Sequence, residues 1–266
     1  MSAPSANLLA GRIAVITGAA SGIGLAIANR YAEQSASLAL IDLNQDRTTA
    51  AAESISRRTG ARTIGIAADV SDEKSMQRAL ALVQETLGTS DIVVPNAGIL
   101  VLKDALDITV EEFDRVLRIN LTGSFLTAKV FGQAMVQANR PGSIIFTSSL
   151  FGKRGGRGNG AYSASKFGLI GLAQSMAAEL APAGIRVNVV CPGQIDSDML
   201  SQLFDDRARD NSTTPEHERD IFTSRIPVGR LGSPGDVADT FLYLASDLSA
   251  YVTGQDITVD GGWSVG

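Results

Sequence analysis

Short apolar runs and helix-length stretches alternate along almost the whole chain, and this alternation restricts the fold more than any other feature. The runs at 12–16, 38–41, 63–68, 91–94, 142–147, 185–190 and 256–259 have strand length, bounded by polar or glycine positions. Stretches of helical character fill the gaps at 25–34, 45–58, 72–87, 109–138, 160–181 and 233–246. Runs without polar alternation suit strands buried on both faces. Strands joined through helices form parallel sheets, with right-handed crossovers. The pattern predicts an α/β fold: a single domain, residues 1–266, with a doubly wound parallel sheet of about seven strands and helices on both faces. The polar stretch 205–220 reads as an insertion or lid. No repeat or linker-like segment interrupts the series.

Composition narrows the partners. At 266 residues, 44% apolar and 19% charged, the chain can bury a sizeable core. A net charge of −5 argues against nucleic acid or an anionic membrane as the main partner. No apolar run is long enough to span a bilayer, and the polar start 1–7 lacks a signal-peptide pattern. The single cysteine, Cys191, cannot form an intramolecular disulfide, so a cytoplasmic location is expected. The single histidine, His217, sits between Glu216 and Glu218 and reads as a solvated loop residue. A histidine-rich metal site and a Ser-His-Asp triad are both disfavoured, and no metal is expected.

The first strand runs into Thr17-Gly18-Ala19-Ala20-Ser21-Gly22-Ile23-Gly24 and then a helix. Glycines there let the backbone approach a diphosphate, which the positive end of the helix favours. The second strand ends in Asp42, placed to present a carboxylate to a ribose. A carboxylate accepts hydrogen bonds from ribose hydroxyls and repels a 2′-phosphate, and the loop itself offers no lysine or arginine. NAD is therefore expected over NADP. Arg47 is the nearest contrary cation, on the solvated face of the next helix.

Further along, Tyr162 and Lys166 are four residues apart on one helix and share a face. An ammonium so placed favours the phenolate and should lower the tyrosine pKa toward the range of useful proton exchange. Ser149 and Asn120 taken singly read as a strand-end cap and a mid-helix polar residue.

Together these residues resemble the classical short-chain dehydrogenase/reductase family over nearly the whole chain. The glycine loop is similar to that family's Thr-Gly-x-x-x-Gly-x-Gly. Asp69-Val70 resembles its adenine-contacting pair, and Asn96-Ala97-Gly98 the turn after its fourth strand. Asn120 falls at its catalytic asparagine. Ser149, 13 residues before Tyr162, falls at its catalytic serine, with Ser148 the weaker candidate. Pro192-Gly193 resembles the turn beside the nicotinamide. The resemblance implies a Rossmann sheet that binds NAD through Gly18, Ser21, Gly22, Ile23, Gly24, Asp42, Asp69, Val70, Asn96, Ala97, Gly98, Tyr162, Lys166, Pro192, Gly193, Ile195 and Ser197. It implies hydride transfer between nicotinamide and a secondary alcohol or ketone. Tyr162 then exchanges the proton, Ser149 donates to the substrate oxygen, Lys166 tunes Tyr162, and Asn120 holds a relay water. Two departures are visible: Pro95 stands where a second asparagine is usual, and Ser197 where a threonine commonly holds the carboxamide.

The small substrate is less legible. The segment 196–226 is expected to form a substrate loop or lid. Its length is similar to that of polyol dehydrogenases, and elsewhere Gly152-Lys153-Arg154-Gly155, residues 162–168 and Tyr251-Val252-Thr253-Gly254-Gln255 resemble sorbitol-6-phosphate 2-dehydrogenases, implying a polyol, a sugar alcohol, possibly phosphorylated, or a vicinal diol. A 3-oxoacyl-[acyl-carrier-protein] reductase is the alternative enzyme, and an NAD(H)-binding regulatory protein the non-enzymatic one. Lys153, Arg154 and Arg157 could hold a phosphate, or form a solvated glycine-rich turn. The helix after Tyr162 has a core stripe (Leu169, Leu172, Ala173, Met176, Leu180) and a small-residue side (Ala164, Ser165, Gly168, Gly171). With the family resemblance, that side implies a homo-oligomer, most simply a homotetramer.

Overall fold

Seven strands carry the fold: β1 (Ile13–Thr17), β2 (Ser37–Asp42), β3 (Thr63–Ala67), β4 (Ile92–Val94), β5 (Gly142–Thr147), β6 (Ile185–Pro192) and β7 (Asp256–Val259). In the computed structural model, which describes residues 7–265, they form one sheet in the order β3-β2-β1-β4-β5-β6-β7. Every pairing is parallel. The start of the polar segment 1–7 lies outside the described residues.

Alternate side chains of a strand point to opposite faces, and here both faces are dry. From β1, Ala14 and Ile16 enter one core cluster with Ile27 and Phe241, while Val15 enters the other with Met76 and Phe131. The first cluster is closed by helices α1 (Gly22–Ala32) and α2 (Gln45–Thr59) and by a late helix, Pro234–Ala245. The second lies under α3 (Glu73–Thr86) and under later helices described below. Helix starts follow local chemistry. Asn44 accepts from the Arg47 N–H, and Asp72 accepts from Lys74 and Ser75.

The expected long helix over 109–138 is present but not uniform. It begins as α4 (Val110–Leu117), with a Thr109/Glu112 capping box, and continues as α5 (Gly123–Gln137). Between them, Arg118–Thr122 forms a π turn. Ser124 Oγ donates to the Asn120 carbonyl at 2.7 Å, and Gly123 lies so close to Val70 that a Cβ would meet Val70 Cγ2 at 2.7 Å. The wider turn rotates Asn120 inward, to full burial. Periodicity alone cannot show one inserted residue.

Helix α6 (Gly160–Leu180) buries Leu169 and Ala173 as expected, with Leu172, Met176 and Leu180 packed around them. Its small side is partly spent within the chain: Ser165 is fully buried, and Gly168 abuts Leu121.

The polar stretch 205–220, read as an insertion or lid, is largely helical. Helices α7 (Asp198–Asn211) and α8 (Pro215–Ser224) cross it, and the late helix Pro234–Ala245 becomes α9. Leu200, Phe204, Phe222, Ile226 and Leu231 form a third cluster there, so each helix has an apolar side to bury. His217 belongs to the first turn of α8, exposed but not in a loop. Thr214 caps that turn and Pro215 opens it.

Candidate active site

The chain leaves β1 toward one edge of the sheet and leaves β4 toward the other. Crossovers on opposite faces diverge at that point, leaving a crevice beyond the strand ends. A cleft of about 660 Å³ lies there, lined from Asp42 and Asp69 at one end to Tyr162, Phe222 and Trp263 at the other.

The first end suits a dinucleotide. Helix α1 begins at the glycine loop with no side-chain cap from Ser21 and no acid in its first turn. Its first N–H groups therefore remain free for an anion. Gly22 has φ +54°, and a Cβ added to it would meet nothing within 4 Å, so space over the turn is open. Gly24 differs: a Cβ there would strike Gly18 O at 2.2 Å. Gly24 lets the turn close, and it does not line the cleft, whereas Gly18, Ser21, Gly22 and Ile23 do.

Asp42 accepts from Leu43 N–H at 2.8 Å and Ala20 N–H at 3.3 Å, which fixes its carboxylate at the cleft. Asp69 accepts from both the N–H and the hydroxyl of Ser71 through one oxygen, with Val70 beside it. Asn96 braces the turn. Its amide donates to Thr17 O at 3.0 Å and Gly18 O at 3.2 Å, and its oxygen accepts from Thr147 Oγ1. Ala97, Gly98, Pro192, Gly193, Ile195 and Ser197 also line the cleft. Ser197 caps α7 through Leu200 N–H and donates to Ile195 O, so its hydroxyl already has partners. Pro95 costs the turn little, since its carbonyl still accepts from Thr147 N–H.

At the other end Ser149, Tyr162 and Lys166 converge, and all three line the cleft. Ser149 follows β5 and caps a 3₁₀ turn by accepting from Phe151 N–H. Ser148 instead donates to Lys166 O at 2.8 Å. Lys166 is 4% exposed, donates to Thr147 O at 2.8 Å and stands 5.5 Å from the Tyr162 ring centroid. Burial lowers its pKa to about 8. The phenol departs from expectation. Burial raises the Tyr162 pKa, and the group that pulls it down is the Ser149 hydroxyl rather than Lys166. The ammonium lies by the ring and is itself desolvated, which weakens the effect read from spacing.

Asn120 stands in the cleft wall, with its Oδ1 and Lys166 Nζ both close to Gly98. Its side chain accepts from Ile99 N–H at 2.8 Å and donates to Ile99 O at 2.9 Å and Ser165 Oγ at 3.1 Å. It locks the cleft wall and does not line the cleft. Of the cations expected near a phosphate, Lys153 pairs with Asp256, and Arg154 is exposed away from the lining. Arg157 reaches the rim but pairs with Asp104 at 3.3 Å.

Several lining residues are beyond the motifs: Phe151, Leu203, Arg207, Phe222, Arg225 and Trp263. They come from loops and helices that tertiary packing folds over the strand ends. The Phe222 ring lies 5.2 Å from Phe204 and 5.9 Å from Trp263.

A parallel Rossmann sheet, an open helix N-terminus and a Ser-Tyr-Lys cluster in one cleft define an oxidoreductase of the nucleotide-binding class. Residues 18–264 match the family model described as Enoyl-(Acyl carrier protein) reductase. An uncharacterized short-chain type dehydrogenase/reductase from Sinorhizobium fredii is 41% identical over 259 residues, covering 96% of this chain and 98% of that one. A D-threitol dehydrogenase from Mycolicibacterium smegmatis is 35% identical, covering 97% and 94%. The crystal structure of a short-chain type dehydrogenase/reductase from Mycobacterium marinum superposes with a TM-score of 0.90 at 36% identity, covering 98% and 99%. The chain belongs to the short-chain dehydrogenase/reductase family.

Proposed function

We propose that this protein is an NAD-dependent dehydrogenase/reductase that interconverts a secondary alcohol and a ketone on a diol-type substrate. The observation that carries this reading is the convergence of Ser149, Tyr162 and Lys166 on the apolar half of the cleft. A nicotinamide bound there supplies or accepts the hydride. Gly18, Ser21, Gly22 and Ile23 would hold its diphosphate, Asp42 a ribose, and Asp69 with Val70 the adenine. Gly193 and Ile195 would flank the nicotinamide end. Tyr162 exchanges the proton at the substrate oxygen, and Ser149 donates a hydrogen bond to that oxygen as charge develops. With its pKa raised, Tyr162 is protonated at neutral pH and ready as the acid for ketone reduction. Lys166, held on Thr147 O, lies beneath the tyrosine.

Asp42 and the absence of a basic side chain at that end of the lining support NAD. One solved neighbour, from Beutenbergia cavernae, carries NADP at low occupancy. Among polyols, sugar alcohols and diols, the walls favour a compact diol. Leu100, Leu102, Ile119, Phe151, Leu203 and Trp263 offer a linear polyol few hydroxyl partners. Relatives named as D-threitol dehydrogenase and as 2,5-dichloro-2,5-cyclohexadiene-1,4-diol dehydrogenase are in keeping with this. A 3-oxoacyl-[acyl-carrier-protein] reductase from Aquifex aeolicus is also a relative, at 35% identity. We assign α7 and α8 as the lid over the substrate.

We also propose a homotetramer. Phe125, Val136 and Phe167 are exposed on α5 and α6, while Leu248, Tyr251 and Val265 are exposed near the end of the chain. Exposed apolar side chains on two stretches of the chain suit two kinds of subunit contact. A free, buried Cys191 supports a reducing compartment such as the cytoplasm. Steady-state assays with NADH or NAD decide the substrate, using cyclic and linear diols, polyols, their ketones and a 3-oxoacyl thioester. The highest kcat/KM on a diol or hydroxyketone is expected. A higher value on the thioester would transfer the enzyme to the acyl reductases.

A further inference from the structure

Charge is unevenly distributed along the cleft. The carboxylates among its lining residues, Asp42 and Asp69, stand at the glycine-loop end. At the other end Arg207 of α7 and Arg225, the C-cap of α8, line the wall beside Phe222 and Trp263. The Arg207 guanidinium lies 4.7 Å from the Phe222 ring centroid, and Arg225 follows Phe222 by one helical turn. Arg207 thus lies against aromatic surface, and Arg225, exposed, lines the same end of the cleft. Among the described residues neither forms a salt bridge, whereas Arg157 on the same rim has Asp104 and Arg219 on α8 has Asp196. Glu218 is the nearby acid. Its carboxylate feels Arg207 without a salt bridge between them among the described residues, and its Oε1 accepts from Asn211 Nδ2 and Thr213 Oγ1, each at 2.9 Å.

Arg207 and Arg225 line an apolar chamber, and with no salt-bridge partner among the described residues they can together receive an anion. A guanidinium offers planar, paired donors that match the oxygens of a carboxylate or phosphate. We propose that Arg207 and Arg225 bind an anionic group on the substrate, distal to the carbon that reacts at Tyr162, with the substrate's apolar body between Phe151 and Trp263. This deepens the oxidoreductase reading and rests on it. It also relocates the anion site expected from Lys153, Arg154 and Arg157, two of which the structure pairs with acids. Within that reading the substrate becomes a diol or hydroxyketone that also carries an oxoanion on an apolar frame.

Titration calorimetry on the full chain saturated with NADH tests this, since NADH blocks the diphosphate site at α1. The probes are benzoate, phenyl phosphate and neutral benzyl alcohol. Both anions should bind more tightly than benzyl alcohol, and the tighter anion tells carboxylate from phosphate. Arg207→Gln and Arg225→Gln should each weaken the anions by roughly tenfold or more, as loss of a charged hydrogen bond does. Arg154→Gln, which removes an equal charge outside the cleft, should leave anion affinity unchanged. Arg225 is exposed, so its variant tests the site even if the Arg207 variant folds poorly. Equal binding of benzyl alcohol and the anions, or anion affinity indifferent to both substitutions, would overturn the proposal. Absence of NADH binding would instead sink the nucleotide reading, and the same titrations without NADH, benzoate against benzyl alcohol, would still judge the arginines.

Discussion

Lys166 donates to the carbonyl of Thr147 and holds its ammonium 5.5 Å from the centre of the Tyr162 ring. The two groups are thus neighbours through the ring, and burial acts on them in opposite directions. It lowers the lysine pKa to about 8 and raises that of the phenol.

A pH dependence follows. Ketone reduction needs the protonated phenol, which dominates through neutral pH. Alcohol oxidation needs the phenolate and gains as pH rises toward the phenol pKa. The free enzyme's kcat/KM for oxidation should therefore rise with pH through the alkaline range while that for reduction falls. Parallel profiles in both directions would remove Tyr162 as the titrating acid and base.

Cofactor choice rests on Asp42, whose carboxylate is anchored by Leu43 and Ala20 N–H groups. Wild type should show a higher kcat/KM with NADH than with NADPH, and Asp42→Ala should narrow or reverse the ratio by removing repulsion of the 2′-phosphate. A wild-type preference for NADPH would contradict the assignment.

Asn120 is expected to position the cleft wall, whether or not it also holds the relay water that the family resemblance implies. Its amide satisfies both backbone groups of Ile99 and is fully buried. Asn120→Ala should lower unfolding free energy by about 1–3 kcal/mol, since two partly buried backbone groups lose partners. It should also raise the substrate KM more than it lowers NADH affinity, because Ile99 walls the cleft. Asn120→Asp keeps an acceptor for Ile99 N–H and should recover part of the stability. Denaturant melts beside steady-state kinetics separate these effects from a direct catalytic role.

Residues whose function depends on the nearest few neighbours were legible in the sequence. The dry strands, the glycine loop and Asp42 fall as expected because buried parallel strands and a tight strand-to-helix turn each impose a local pattern. Ser149, Tyr162 and Lys166 meet because a strand end and the next helix start are joined by one short loop. Illegible were features set by distant contacts. The π turn at Asn120 depends on Val70 and Ser124. The helical nature of 205–220 depends on packing against Phe222 and Trp263, so a polar composition concealed it. The partners of Lys153 and Arg157, Asp256 and Asp104, are remote or loop-borne and carried no spacing signal.

The most direct test of the account is turnover by Tyr162→Phe, measured with the best alcohol or ketone and NAD(H), alongside NADH binding. The ring and Lys166 remain in this variant, and only the proton-exchanging hydroxyl is lost. Turnover should fall by roughly 10²–10⁴-fold, as for loss of a positioned acid or base, with NADH affinity nearly unchanged. Turnover within a few-fold of wild type would contradict the central role given to Tyr162.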